Sequence, residues 1–146
     1  MPRRAVERMI ATGAIDVRHA ETIGAAFNVS LVSAALRMCE LTREAAAVVY
    51  FRDGLLKWAF RFGLPYGLPN TGAGPHPRTL AHDVAWGKDG SPVATVVDSS
   101  DWLPLAAPDS RWGELLESSV RLDGDGEILT VLWLPDSESD ALDEDL

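Results

Sequence analysis

At 146 residues and 47% apolar side chains, the chain has the size and composition of one globular domain, or of one domain with an appended piece. Its net charge of −9 works against phosphate-rich partners, and no apolar run approaches the roughly 18 residues that span a bilayer. Arg3 and Arg4 are followed by no long apolar stretch, and the single cysteine, Cys39, excludes an internal disulfide, so neither a secretory signal nor an oxidising compartment is expected and the cytoplasm is the expected location.

The chain opens with a helical pattern. Pro2 suits a first turn, and Val6, Met9 and Ile10 share one face. Thr12-Gly13 ends this helix. Asp16 is an N-cap for a second one, Val17 to Phe27, with Ile23 and Phe27 on its apolar stripe. Asn28 stands where the chain must turn, and Asn tolerates the left-handed conformation. Ser30 caps a third helix, Leu31 to about Leu41, whose apolar positions Leu31, Ala34, Ala35, Met38 and Leu41 keep helical spacing. Cys39 falls inside it and reads as a buried thiol rather than a nucleophile.

After Arg43-Glu44 the period changes from helix to strand. Ala47 to Arg52 and Leu55 to Phe62 flank Asp53-Gly54, a two-residue hairpin signal. Pairing Arg52 with Leu55 sets Phe51 opposite Leu56, Val49 opposite Trp58 and Ala47 opposite Phe60, with Lys57 and Arg61 on the other face. Residues 63 to 77 form a long Gly/Pro connection. A short helix is expected from Pro77 to Trp86, with Leu80 and Val84 on one side, then a strand from Pro92 to Val97. A turn follows at Asp98-Ser99-Ser100-Asp101, after which Trp102-Leu103 re-enters the core. A final hairpin runs from Leu115 to Leu134 around Asp123-Gly124-Asp125-Gly126, with Leu116, Val120 and Leu122 facing Leu129, Val131 and Trp133. The expected fold is α+β: a helical segment, 1–44, with a helix-turn-helix-like corner, then a mostly antiparallel sheet, 45–134. Residues 135–146 carry Asp136, Glu138, Asp140, Asp143, Glu144 and Asp145 and read as a disordered, solvating tail.

The corner Phe27-Asn28-Val29-Ser30 has the spacing of a helix-turn-helix, with small Gly24 letting the second helix approach and Val29 filling the angle. A DNA-reading helix presents polar and basic side chains. This one presents Leu31, Val32, Ser33, Leu36 and Arg37, with Glu40 and Glu44 close behind and Arg43 the other cation. A structural corner is therefore expected, and nucleic acid is not an expected partner.

Taken in order, Met1-Pro2-Arg3-Arg4, the corner with Ala34-Ala35-Leu36-Arg37-Met38, the Asp53-Gly54 hairpin with Trp58, Glu114-Leu115-Leu116-Glu117-Ser118 and Ile128-Leu129-Thr130-Val131-Leu132-Trp133 resemble the C-terminal part of the ImmA/IrrE family of zinc metallopeptidases. Residues 1 to 134 carry this resemblance. The family's His-Glu-x-x-His helix binds zinc and supplies the general base. That motif is absent here, and the third metal ligand would precede Met1, so no catalytic or metal-ligating residue carries over. His19, His76 and His82 lack zinc-site spacing. The resemblance implies a non-catalytic regulatory or interaction module with no cofactor of its own, zinc being expected only in a full-length relative. Its partner would be a protein, either a repressor-type substrate of a stress or mobile-element programme or the missing peptidase domain. Arg37, Arg43, Trp86 and Trp112 are the candidate contacts. Two alternatives stand beside it: a zinc metallopeptidase whose catalytic part is encoded upstream of the Met1 codon, and a DNA-binding regulator. On the truncated reading, the face of Val6, Met9 and Ile10 is left bare and drives self-association.

Overall fold

A computed structural model describes residues 1–11, 13–64, 68–103, 114–123 and 126–135. Trp112, the acidic tail beyond Pro135 and the centre of the last hairpin turn lie outside these residues. Three helices come first: α1 (Arg3–Ile10), α2 (Val17–Phe27) and α3 (Leu31–Leu41). Asp16 caps α2 as its sequence position predicts, its Oδ1 accepting the His19 N–H at 2.9 Å. Its other oxygen accepts the Ala94 N–H at 3.0 Å, and Val17 N–H donates to Ser118 Oγ at 3.0 Å. The start of α2 is thereby tied to the sheet at two points. Asn28 takes the left-handed conformation, φ 54° and ψ 49°, and Ser30 Oγ accepts the Ser33 N–H at 3.1 Å to start α3. The chain turns by 109° between the two helices. Gly24 permits the approach: a Cβ there would lie 3.1 Å from the Val29 carbonyl oxygen and 3.6 Å from Ala34 Cβ. No helix among the described residues is long and apolar enough to cross a membrane.

The strands β1 (Ala45–Arg52), β2 (Leu55–Phe62), β3 (Ser91–Asp98), β4 (Glu114–Arg121) and β5 (Ile128–Leu134) form one antiparallel sheet in the order β2-β1-β5-β4-β3. A short helix, α4 (Leu80–Ala85), and a 3-10 turn, Ser99–Asp101, lie in the connections. α4 is shorter than the expected Pro77–Trp86, because Thr79 caps it, and its buried pair is Ala81 and Val84 rather than Leu80 and Val84. The helices-then-sheet α+β order is the one expected from the sequence. In the last hairpin Leu116 pairs with Trp133 and Val120 with Leu129, as the alternation predicts.

The first hairpin departs from its predicted register. Arg52 pairs with Leu55 and Phe51 with Leu56, but a bulge follows, so Trp58 pairs with Tyr50, Ala59 with Val49, Phe60 with Val48 and Arg61 with Ala47. The extra residue is Lys57, which is exposed. The bulge leaves Leu56 with Phe51 in one core and moves Trp58 to the opposite face. There its ring stacks on Tyr50, with centroids 5.2 Å apart and planes inclined by 21°. Such a stacked pair contributes about 0.5–1.5 kcal/mol beyond its buried area, which offsets the lost ladder regularity.

Both faces of the sheet are covered. The helices pack on Ala46, Val48, Leu129 and Val131, and the other face holds Ala47, Val49, Phe51, Leu115 and Leu132 beneath Ala81, Val84, Trp102 and Leu103. The continuous apolar runs of β1 and β5 suit central strands buried on two sides. Val6 is fully buried, Ile10 is 8% exposed and Met9 packs against the same cluster. The α1 face expected to be bare is thus covered by the chain's own core, and the ground for self-association through it falls away.

Candidate functional site

A six-residue helix has little stability of its own, because nucleation fixes several dihedrals for one hydrogen bond. α4 is held instead at both ends by one strand. At its N-terminus the Glu117 carboxylate accepts the Leu80 N–H at 3.1 Å and the Ala81 N–H at 2.8 Å. Thr79 Oγ1 accepts the His82 N–H at 3.1 Å. At the C-terminus the Arg121 guanidinium donates to the Val84 carbonyl at 2.8 Å. Glu117 and Arg121 are four residues apart on one face of β4, about 13 Å, enough to bracket a helix about 9 Å long. Their charges also suit the two ends of the helix dipole.

Glu117 is fully buried, and its oxygens are further engaged by Trp102 Nε1–H at 3.0 Å and by the Ser119 hydroxyl at 2.5 Å. Ser119 Oγ is in turn 2.6 Å from Thr130 Oγ1. Burial raises the carboxyl above its ordinary value, while the hydrogen bonds from Ser119, Trp102, Leu80 and Ala81 act to lower it. Closed off from solvent and surrounded by donors, Glu117 is an acceptor hub that joins α4, Trp102 and the sheet. It has no route to a substrate.

Beyond α4 the chain turns sharply. The Trp86 N–H donates to the His82 carbonyl at 3.0 Å, the Gly87 N–H to Val84 at 3.1 Å and the Lys88 N–H to Asp83 at 2.9 Å. Gly87 has φ 90°, which favours glycine at such a helix end. The backbone at Trp86 is therefore held in place, while its side chain is 75% exposed, with the His82 ring centroid 5.8 Å away.

Asp101 lies next to this mount, 7% exposed, with Oδ1 at 3.4 Å from both His76 Nδ1 and Arg78 Nη2. Nearby, Asp98 accepts the Ser100 N–H at 2.9 Å and the Ser100 hydroxyl at 2.8 Å, which holds its carboxyl below the ordinary value. The Asp98 bonds close the 3-10 turn on itself, and the two Asp101 contacts bring the lead-in to α4 beside it. No serine or cysteine hydrogen-bonds to the His76 ring among the described residues. His19 Nδ1 is 2.9 Å from the Ala14 carbonyl, and His82 lies beside Trp86. Among the described residues no group of three or more His, Cys, Asp or Glu side chains could hold a metal ion. Cys39 is fully buried, and burial pushes its thiol up to about 12, which suppresses the nucleophilic thiolate.

The other candidates separate. Arg37 pairs with Glu40 on the same helix, so its charge is compensated where a DNA reader would offer it. Arg43 is exposed at the end of α3, away from Trp86 in sequence and on a different element. Phe27 and Val29 pack half-buried against the helical core, and Leu31, Val32 and Leu36 do the same, so much of the apolar surface of α3 serves packing. A small cleft of about 170 Å³ lies between the two hairpin turns and the end of α4, with Asp53, Arg121 and Glu127 in its wall. Its Arg121 is engaged with Val84, and Glu127 accepts the Tyr50 hydroxyl.

The Glu117 hub was not visible in the sequence. Its one signal is parity: Leu115, Glu117 and Ser119 alternate with Leu116, Ser118 and Val120, and the first set reads as solvent-facing until α4 and Trp102 are placed over it. No protein-family model matches the chain, and a search of curated proteins finds no relative.

Proposed function

We propose that this chain is a non-catalytic interaction module that presents Trp86 to a protein partner. The supporting observation is the mount: a short helix fastened at both ends by Glu117 and Arg121 carries a tryptophan that is 75% exposed. An anchor carried on an ordered backbone loses less entropy on binding than one on a loose segment, and tryptophan is enriched at binding hot spots. The resemblance to the C-terminal part of ImmA/IrrE peptidases supports a regulatory role beside a peptidase core, with a repressor-type protein or that core as the partner. The buried, lone Cys39 supports a cytoplasmic setting.

A photo-crosslinking amino acid at position 86 is expected to yield one discrete protein adduct in cells, whereas the same group at Ala25, exposed on α2, yields none. Equal, diffuse labelling at both positions would reject the reading. Metal analysis of the purified chain is expected to show no stoichiometric zinc. A one-to-one zinc content would favour a metallopeptidase instead, as would an open frame encoding His-Glu-x-x-His upstream of the Met1 codon. The 109° corner fits helix-turn-helix geometry, so DNA binding is the second reading. It requires a gel shift at low salt, where phosphate contacts are strongest.

A further inference from the structure

His76 stands between Pro75 and Pro77, so its backbone is confined on both sides before α4 begins. Its carbonyl accepts the Thr79 N–H at 3.0 Å and the Thr79 hydroxyl at 2.7 Å, and Thr79 in turn caps α4. Asp101, at the end of the 3-10 turn, precedes Trp102, whose indole N–H donates to Glu117 at 3.0 Å. Glu117 holds the first N–H groups of α4. The contacts therefore run from His76 through α4, Glu117 and Trp102 to Asp101, and the circuit closes where Asp101 faces His76.

At that point a hydrogen bond is missing. Asp101 Oδ1 is buried and has no hydrogen-bond partner among the described residues, although His76 Nδ1 and Arg78 Nη2 both lie 3.4 Å away. A buried acceptor without a donor is a standing cost to the fold. Because this oxygen is closed to solvent, its donor has to come from a group already beside it rather than from a bound ligand. His76 Nδ1 cannot donate as it stands. It accepts the Arg78 N–H at 3.2 Å, which places the proton of the neutral imidazole on Nε2. Two acceptors thus face each other across 3.4 Å. The charged groups at this junction, among the described residues, are Asp98 and Asp101 on the side of the turn and Arg78 on the lead-in, while Glu117 on β4 is taken up by its own donors. Arg78 acts on both aspartates, and its side chain is 71% exposed, so solvent screens it.

We propose that His76 and Asp101 form a proton-operated latch that fastens the lead-in of α4 to the 3-10 turn. On acidification the imidazole takes one proton from water at Nδ1, and no bond between heavy atoms changes. Nδ1 then donates to Asp101 Oδ1, and the orphaned acceptor gains a charge-assisted bond. The Arg78 N–H, which is exposed, turns to water instead. Imidazoles ordinarily gain a proton at about pH 6.5 and carboxylates at about pH 3.9, which leaves a window for such a pair. The stabilisation is present at the acidic end of that window and is lost as pH rises. The effect of the latch on a partner rests on the reading of Trp86 as the contact; the latch itself does not.

The test follows the full, isotope-labelled chain by NMR from about pH 8 down to about pH 5.5, across the ordinary imidazole range. The His76 imidazole should become doubly protonated while the Arg78 amide proton moves upfield, as it loses its acceptor. A double-mutant cycle of His76→Ala and Asp101→Ala should show a melting-temperature coupling of about 3 °C at the acidic end that vanishes at the alkaline end. Arg78→Gln keeps the backbone N–H and should retain that coupling. The proposal is overturned by an imidazole still neutral at the acidic end, by an Arg78 amide that stays still while the imidazole titrates, or by equal coupling at both ends. Loss of the coupling in Arg78→Gln overturns it too, since the guanidinium would then be the partner of Asp101. The amide titration uses the unaltered chain and decides the matter even where a variant fails to fold. None of these readouts measures partner binding, so failure of the latch leaves the Trp86 reading standing, and a failed crosslink at position 86 leaves the latch standing.

Discussion

Glu117→Ala is expected to destabilise the chain by about 3 kcal/mol, which for this size lowers the melting temperature by roughly 10 °C. The substitution removes no cation partner, because every group around the carboxylate is a neutral donor. It strands the Leu80 and Ala81 N–H groups, the Trp102 indole N–H and the Ser119 hydroxyl. Each buried donor left without an acceptor costs about 1–3 kcal/mol, partly recovered if water enters the vacated space. Glu117→Gln should cost less, since its amide oxygen still accepts from two donors while its NH2 group opposes one. The pH dependence follows from burial. The folded-state carboxyl sits above its unfolded value, so its contribution is fully present below the unfolded value and is lost as pH rises through the folded one. The melting-temperature gap between wild type and Glu117→Gln should therefore widen on acidification toward the ordinary glutamate range. A gap that shrinks there would mean that hydrogen bonds to the ionised form outweigh desolvation. Because α4 depends on Glu117, both variants should also raise the mobility of Trp86, read as faster quenching of its fluorescence in a variant where the other tryptophans are silent.

Gly90→Ala is expected to cost 3 kcal/mol or more by overpacking, measured by chemical denaturation. A Cβ at this position would lie 1.9 Å from the Ser119 carbonyl oxygen and 2.6 Å from Val84 Cγ2. Neither neighbour can retreat easily. Ser119 is in the ladder between β3 and β5, and Val84 belongs to the core beneath α4. The backbone at Gly90 is not in the left-handed region, so the effect is one of space. Gly74→Ala serves as the comparison, because its Cβ would meet nothing closer than the Gly54 carbonyl oxygen at 3.7 Å. It should change stability by no more than about 0.5 kcal/mol. Equal effects at the two positions would refute the close approach of β3 to β4 and α4.

Local signals in the sequence were reliable where the neighbours of a residue are near in the chain. Asp16, Asn28 and Ser30 mark helix ends through bonds that span only a few residues, and each plays its predicted part. Asp53-Gly54 makes its turn with both residues at positive φ, 54° and 77°. The register failed two residues later. The bulge at Lys57 arises from a contest between ladder regularity and the stacking of Trp58 on Tyr50, and the alternation of apolar residues is satisfied either way. Trp86 was named from its place at a loop, and the structure does leave it exposed. What its position in sequence could not show is that β4 fastens the helix that carries it.

The sequence alone determined the order of elements, the helix corner and the two hairpins, because caps, turn residues and short-range periodicity act within a few residues. Only the tertiary structure decided that the sheet is covered on both faces, that Glu117 is buried among donors from three segments, and that the α1 face is filled. Those outcomes depend on which distant segments meet across the sheet: Glu117 lies 36 residues from Ala81 and 15 from Trp102. A carboxylate on a strand looks solvated until the chain that covers it has been placed, and burial then turns the same residue from a surface charge into the hub of the fold.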